Sequence, residues 1–231
     1  MVTPDYSVLL DTNILMSRTL RDWILILAQK SEWEFFQPYV SSGILDEFGY
    51  QMRRGKPTLD DGALETWKSQ ILSSTRGVIS GFQVPHIPGY PDKNDLHVHA
   101  AADHGGMHAL ITHDAKLLNF ATTPEGQDIQ KYETMSADDF LTKHLTKRVP
   151  LSLFAQVYIG HIKHALRLGY KDFDVCKALD RTKDRQGNKQ NPLAPQFARF
   201  LRMNIINRPD VTTAVDQMLT KSHTTFSPES L

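Results

Sequence analysis

Two hydrophobic rhythms alternate along this chain. Ser7-Val8-Leu9-Leu10 is a short apolar run that stops at Asp11, too short for a helix and so predicted as a buried strand. Leu20, Trp23, Ile24, Leu27 and Ala28 then recur at helical spacing and mark one face of a helix. Phe35 to Val40 is interrupted by Pro38 and runs into Ser41-Ser42-Gly43, a helix start. The helix predicted from there covers about 44–54 and ends before Gly55-Lys56-Pro57. Residues 64–74 predict another helix, 77–84 a strand closed by Pro85, and Asp92 the cap of a helix over 93–105. Residues 109–112 form a second apolar strand beside an acid, Asp114, and 128–133 are a candidate for a third. Ser136 with Asp139 resembles a capping box ahead of 140–145. Strands alternating with helices predict an α/β fold with a mostly parallel sheet covered on both faces.

The rhythm changes at Val149-Pro150, so the pattern divides the chain into residues 1–148, a helical extension over 149–221, and a disordered tail over 222–231. Within the extension, helices are predicted over 153–168, 196–204 and 211–221. The polar stretch from Thr182 to Pro192 reads as a mobile loop.

Charge sharpens this division. The formal net charge is zero, yet residues 1–150 hold 14 Lys/Arg against 19 Asp/Glu, and residues 151–231 hold 12 against 7. An acidic body with a basic extension suits a metal site in the first and a polyanion contact in the second. No apolar run is long enough for a membrane span, and the N-terminus lacks the basic-then-apolar order of a signal peptide. The single cysteine, Cys176, excludes an intrachain disulfide. A cytoplasmic protein with no membrane partner is expected.

The candidate chemistry lies in acids at the ends of apolar elements. Asp11 and Asp114 follow the two apolar strands, and the carboxyl ends of parallel strands are where sites form in open sheets. Glu47 shares a helix face with Ile44, Phe48, Gln51 and Met52, while Asp46 points elsewhere. A carboxylate on an inward face is costly unless paired, with Arg21 or Arg53 as possible partners, or metal-bound. Asp95 aligns in the same way with Val98, His99 and Ala102. Each acid also has a plainer reading: strand-end aspartates are often turn or cap residues. Together, four acids in one pocket would repel one another and favour a divalent cation such as magnesium or manganese, which prefer oxygen ligands.

These residues resemble the motif series of PIN-domain nucleases. Val8-Leu9-Leu10-Asp11-Thr12-Asn13-Ile14-Leu15 is similar to the opening strand and Asp-x-Asn turn of that family. Ser42-Gly43-Ile44-Leu45-Asp46-Glu47 resembles the second acidic motif, and Ile111-Thr112-His113-Asp114 the fourth. The run from Pro91 to Ala102 resembles the third, in a VapC-like branch whose members often carry a C-terminal helical extension with an Asn-Pro-x motif. Asn191-Pro192-Leu193 looks like that motif. The resemblance covers about residues 5–145. It implies a Rossmann-like PIN fold with endoribonuclease activity dependent on Mg²⁺ or Mn²⁺, with Asp11, Glu47, Asp95 and Asp114 as the metal-site acids. Asn13 and Thr112 would be supporting groups. It further implies the toxin of a VapBC-type toxin–antitoxin pair, with an antitoxin partner, a homodimer, and RNA (transfer RNA among the candidates) as substrate.

Other readings remain open at the level of residues. His97, His99, Asp103 and His104 superficially resemble a zinc-binding His-x-His-x-Asp-His motif. On a helix, however, His97 and His99 point about 200° apart, and His97 is better read as an orienting group. His113 can contact a phosphate or simply be exposed. Lys177, Arg181, Lys183, Arg185 and Lys189 suit either RNA backbone, an acidic antitoxin segment, or plain solvation. A structure-specific DNA nuclease and a catalytically silent RNA-binding protein of the same fold are the alternatives in function.

Overall fold

The computed structural model describes residues 6–170, 173–183 and 189–224, which divide into two compact units, Met1–Phe140 and Leu141–Leu231. The first unit is built on β1 (Ser7–Leu10), β2 (Gln37–Ser41), β3 (Gly77–Ile79), β4 (Ala109–Ile111) and β5 (Glu133–Met135). All are parallel, in the order β3-β2-β1-β4-β5. Its helices are α1 (Thr12–Met16), α2 (Arg18–Lys30), α3 (Ser42–Gly55), α4 (Asp61–Ser74), α5 (Leu96–His104), α6 (Ala115–Phe120), α7 (Pro124–Ile129) and α8 (Ala137–Asp139). A 3₁₀ turn over Lys93–Asp95 precedes α5, and a π-helical turn, Phe140–Leu145, follows α8.

The expected α/β architecture is present. Val8, Leu9 and Leu10 of β1 are fully buried, as are all three residues of β4. At roughly 1.5–3 kcal/mol per large apolar side chain buried, these central strands anchor the sheet. The whole predicted face of α2 is buried, and Phe36 meets Phe140 edge-on at 5.2 Å between ring centres.

Several elements differ from the pattern-based expectation, each for a local reason. Pro38 lies inside β2 instead of breaking it. Its carbonyl accepts from Arg76 N–H, so its ring nitrogen faces the same side, ahead of Gly77 where β3 begins, and no ladder bond is lost there. β3 stops at Ile79, the partner of Ser41, because β2 ends there and turns into α3. The third strand expected over 128–133 is displaced to Glu133–Met135. Thr123 caps a helix with Pro124 in its first turn, and that helix takes residues 124–129. Ser136 does cap Asp139, donating to its carboxylate while accepting from its N–H.

The second unit is helical, with α9 (Leu151–Arg167), α10 (Val175–Asp180), α11 (Pro195–Asn204) and α12 (Pro209–Thr224). Phe154, Phe197 and Phe200 form its aromatic centre, with ring centres 5.3–6.0 Å apart. The periodicity reading did not identify α10, a short helix capped by Asp174. After the Asn-Pro-Leu stretch, Ala194 N–H bonds to the carbonyl of Leu179 at the end of α10. The predicted mobile loop has pinned ends: Gln190 N–H donates to Thr182 O, and Lys183 pairs with Lys189 in an antiparallel bridge. Its centre, 184–188, lies outside the described residues, as do 225–231 of the predicted disordered tail. Residues 222–224 belong to α12.

Candidate active site

β1 is the switch point of the sheet: one connection from it leads to β2 on one side, while β4 joins it on the other. Ligands of open parallel sheets bind at the carboxyl ends of strands at such a point. Asp11 follows β1 there, and its N–H extends the ladder to Ile111 O of β4.

Asp11 is 6% exposed and held by three donors. Thr12 N–H reaches Oδ1 at 2.7 Å, and Asn13 Nδ2 and Thr112 Oγ both reach Oδ2 at 2.6 Å. Asn13 carries the network onward: its Oδ1 accepts from His113 N–H. Asp114 N–H donates to Thr112 Oγ, while its own Oδ1 caps α6 by accepting from Lys116 and Leu117 N–H. Burial pushes the Asp11 carboxyl above its ordinary range, opposed by the bonds from Thr112 and Thr12 and reinforced by the charge of Glu47.

Glu47 enters from α3. Its Oε2 accepts from Thr12 Oγ at 2.7 Å and stands 3.7 Å from His97 Nε2. Neither arginine named as a possible partner takes that place: Arg21 donates to the Leu15 carbonyl, and Arg53 pairs with Asp61. Asp46 is exposed, as expected.

Asp95 sits at the N-terminus of α5 but makes no side-chain capping bond. Burial raises its carboxyl to about 6, and the charges of Asp11, Asp92, Asp114 and Glu47 push the same way. Asp95 therefore feels the charges of the other three acids, and Asp11 feels that of Glu47. Asp92, by contrast, caps the 3₁₀ turn and pairs with Lys116 at 2.8 Å, which ties the loop before Asp95 to the start of α6.

Tyr90 was not found by the sequence reading. It is 7% exposed, packed against Phe120 and His99, and its buried hydroxyl has no hydrogen-bond partner. Burial, then the charges of Asp95, Asp11 and Asp114, raise its pKa, so it remains a neutral O–H donor close to the acids. Its signal was an aromatic residue between Gly89 and Pro91, directly ahead of the third motif. His113 is not simply exposed: its Nε2 is buried without a partner, and burial lowers its pKa.

The histidines of α5 separate. His97 Nδ1 meets the Asn94 carbonyl, His99 Nδ1 meets the Tyr132 hydroxyl, and His104 packs against Phe82. Among the described residues no three carboxylate, imidazole or thiol side chains stand close enough to ligate one ion directly. The donor set nevertheless fits a hard cation, because magnesium takes only one or two carboxylates and keeps several waters. Lys177, Arg181, Lys183 and Lys189 are exposed in the second unit, and Arg185 lies outside the described residues.

Acids thus stand at the switch point of a parallel sheet, the place where open α/β sheets bind their ligands. Residues 7–116 match the family model of the PIN domain, and the five-stranded parallel sheet flanked by helices is that domain's fold, followed here by further helices. PIN domains are in general nucleases. No curated protein and no solved structure matches the chain. No helix among the described residues is long and apolar enough to cross a membrane.

Proposed function

We propose that the first unit is a metal-dependent endoribonuclease that hydrolyses RNA phosphodiester bonds. The observation carrying this reading is Asp95: a half-buried carboxylate without a capping bond, facing the charges of Asp11, Asp92, Asp114 and Glu47. A chain has no structural reason to keep such a group uncompensated, so it marks a functional site. Asp11, Glu47, Asp95 and Asp114 would hold Mg²⁺ or Mn²⁺, which when bound polarises a phosphoryl oxygen and lowers the pKa of attacking water. Asn13 and Thr112 fix the carboxylate of Asp11, Thr12 orients Glu47, and the cap on α6 fixes Asp114.

The motif series further supports a cytoplasmic toxin of a VapBC-type pair, silenced by an antitoxin, acting as a homodimer on RNA such as transfer RNA. Lys183 and Lys189 are partners across a bridge, an arrangement of like charges that a phosphate or carboxylate would relieve. With Lys177, Arg181 and Arg185 they are proposed to touch RNA backbone or the antitoxin. Cleavage of labelled RNA and DNA with Mg²⁺, with EDTA and by Asp11→Asn tests the reading. RNA cleavage that needs the metal and Asp11 is the expected result. DNA cleavage alone points to a structure-specific DNA nuclease, binding without cleavage to a silent RNA-binding protein, and cleavage surviving EDTA overturns the mechanism. A small neighbouring reading frame encoding a DNA-binding protein supports the toxin role.

A further inference from the structure

His97 reaches the acidic centre without being one of its acids. Its Nδ1 lies 2.7 Å from the Asn94 carbonyl, which can only accept, so Nδ1 carries the proton and donates. In the neutral ring Nε2 is then an acceptor. That atom is buried without a hydrogen-bond partner, and it stands 3.7 Å from Glu47 Oε2, a second acceptor. With the ring neutral, these two acceptors face each other across a gap. The ring is also seated on purpose-shaped backbone: a Cβ at Gly43 would lie 2.8 Å from His97 Cδ2, closer than such atoms approach. Gly43 and Glu47 are one turn apart on the same side of α3, so one helix supplies both the seat for the imidazole and the carboxylate opposite it.

We propose that His97 is a positioning residue, its Nε2 accepting a hydrogen bond from the water shell of a divalent cation held at Glu47. This rests on the nuclease reading above. A hydrated cation has donors for both acceptors at once, and its charge satisfies the carboxylate. Two rival roles predict different signs. A protonated His97 acting as counter-charge to Glu47 would compete with the cation, so removing it would tighten cation binding. A ring that only fills space would leave binding unchanged.

Mn²⁺ binding to the full chain, followed by the electron paramagnetic resonance of free Mn²⁺ alongside a thermal melt, separates these. His97→Leu is expected to weaken binding about 10- to 100-fold, the usual range for losing an outer-shell partner of a metal site. His97→Gln, whose amide oxygen can accept, should stay within about threefold of wild type. Gly43→Ala leaves every ionisable group in place but displaces the ring, and should weaken binding as His97→Leu does. Unchanged or tighter Mn²⁺ binding by His97→Leu overturns the proposal, and Gly43→Ala decides by the same criterion if the leucine variant does not fold. Failure of the wild-type chain to bind Mn²⁺ overturns the nuclease reading itself, which is a distinguishable result.

Discussion

The acidic centre has a strand-edge half and a helix half, and they are built differently. At the strand edge, Asp11 accepts from Thr12, Asn13 and Thr112, and Thr112 in turn accepts from Asp114 N–H. On the helix side, Glu47 has one hydroxyl donor and a distant imidazole, and Asp95 has no capping bond. The first half holds its carboxylate with three donors, although burial still raises its pKa; the second gives Glu47 one donor and Asp95 no capping bond. Charge-assisted bonds such as those on Asp11 are short and strong, and they lock one orientation. A carboxylate without such bonds is costly to the fold and available to a ligand. The contrast separates a group that is positioned from groups that are held in readiness.

The sharpest way to break this comparison is to neutralise one acid from each half. Asp11→Asn and Asp95→Asn should both reduce cleavage by about 100-fold or more, the scale on which removing one preorganised electrostatic group acts. Their stabilities should diverge. An amide at residue 11 turns one of its two accepting atoms into a donor facing donors, which costs about 1–3 kcal/mol. At residue 95 the amide removes a half-buried charge and raises the metal-free melting temperature at neutral pH. Metal-free melts of both variants check this, and equal shifts would mean that the two halves are not built differently.

A smaller effect follows in the pH dependence. The Asp95 carboxyl is raised from an ordinary 3.8 to about 6 in the fold. The folded state therefore binds its proton more tightly than the unfolded state. Stability from this group is present below about pH 4 and is lost as pH rises to about 6. Other carboxylates contribute with the opposite sign, Asp92 and Asp210 among them, because ion pairs lower their pKa values. The clean quantity is thus the melting temperature of wild type minus that of Asp95→Asn, in EDTA. It should fall across that window, and Mn²⁺ should reverse the fall above it, since a ligand bound only by the folded state stabilises it. A flat difference from pH 4 to 7 would remove Asp95 from the unsatisfied half.

Much of this arrangement was legible in the sequence, because its signals are local. An apolar run that stops at an acid gave Asp11 and Asp114, and helical periodicity separated Glu47 from Asp46. The plain reading of strand-end aspartates as caps holds and does not exclude the proposed site: Asp11 caps α1 and Asp114 caps α6, and both charges act on Asp95. What escaped depends on contacts distant in sequence. Pro38 was compatible with a strand only because of where β3 starts, and β5 was fixed by its register with β4. Thr12 as the partner of Glu47 is a contact across 35 residues that no periodicity encodes. Tyr90 carried no motif and is defined by its burial beside the acids.

Tyr90 supplies the smallest and most specific test, because its hydroxyl lies between the two halves in kind: a neutral donor among acceptors. With the proton retained at all ordinary pH values, it can give a hydrogen bond to a phosphoryl oxygen brought to the centre. Tyr90→Phe keeps the ring on Phe120 and His99 and deletes a buried donor that has no partner, so the metal-free protein should melt at the same temperature or slightly higher. Cleavage should fall only about two- to tenfold, the equivalent of one neutral hydrogen bond of about 0.5–1.5 kcal/mol. The paired readout matters more than either value. A loss of stability would show that the hydroxyl has a partner within the fold, whereas lost cleavage at unchanged stability would place it against the substrate.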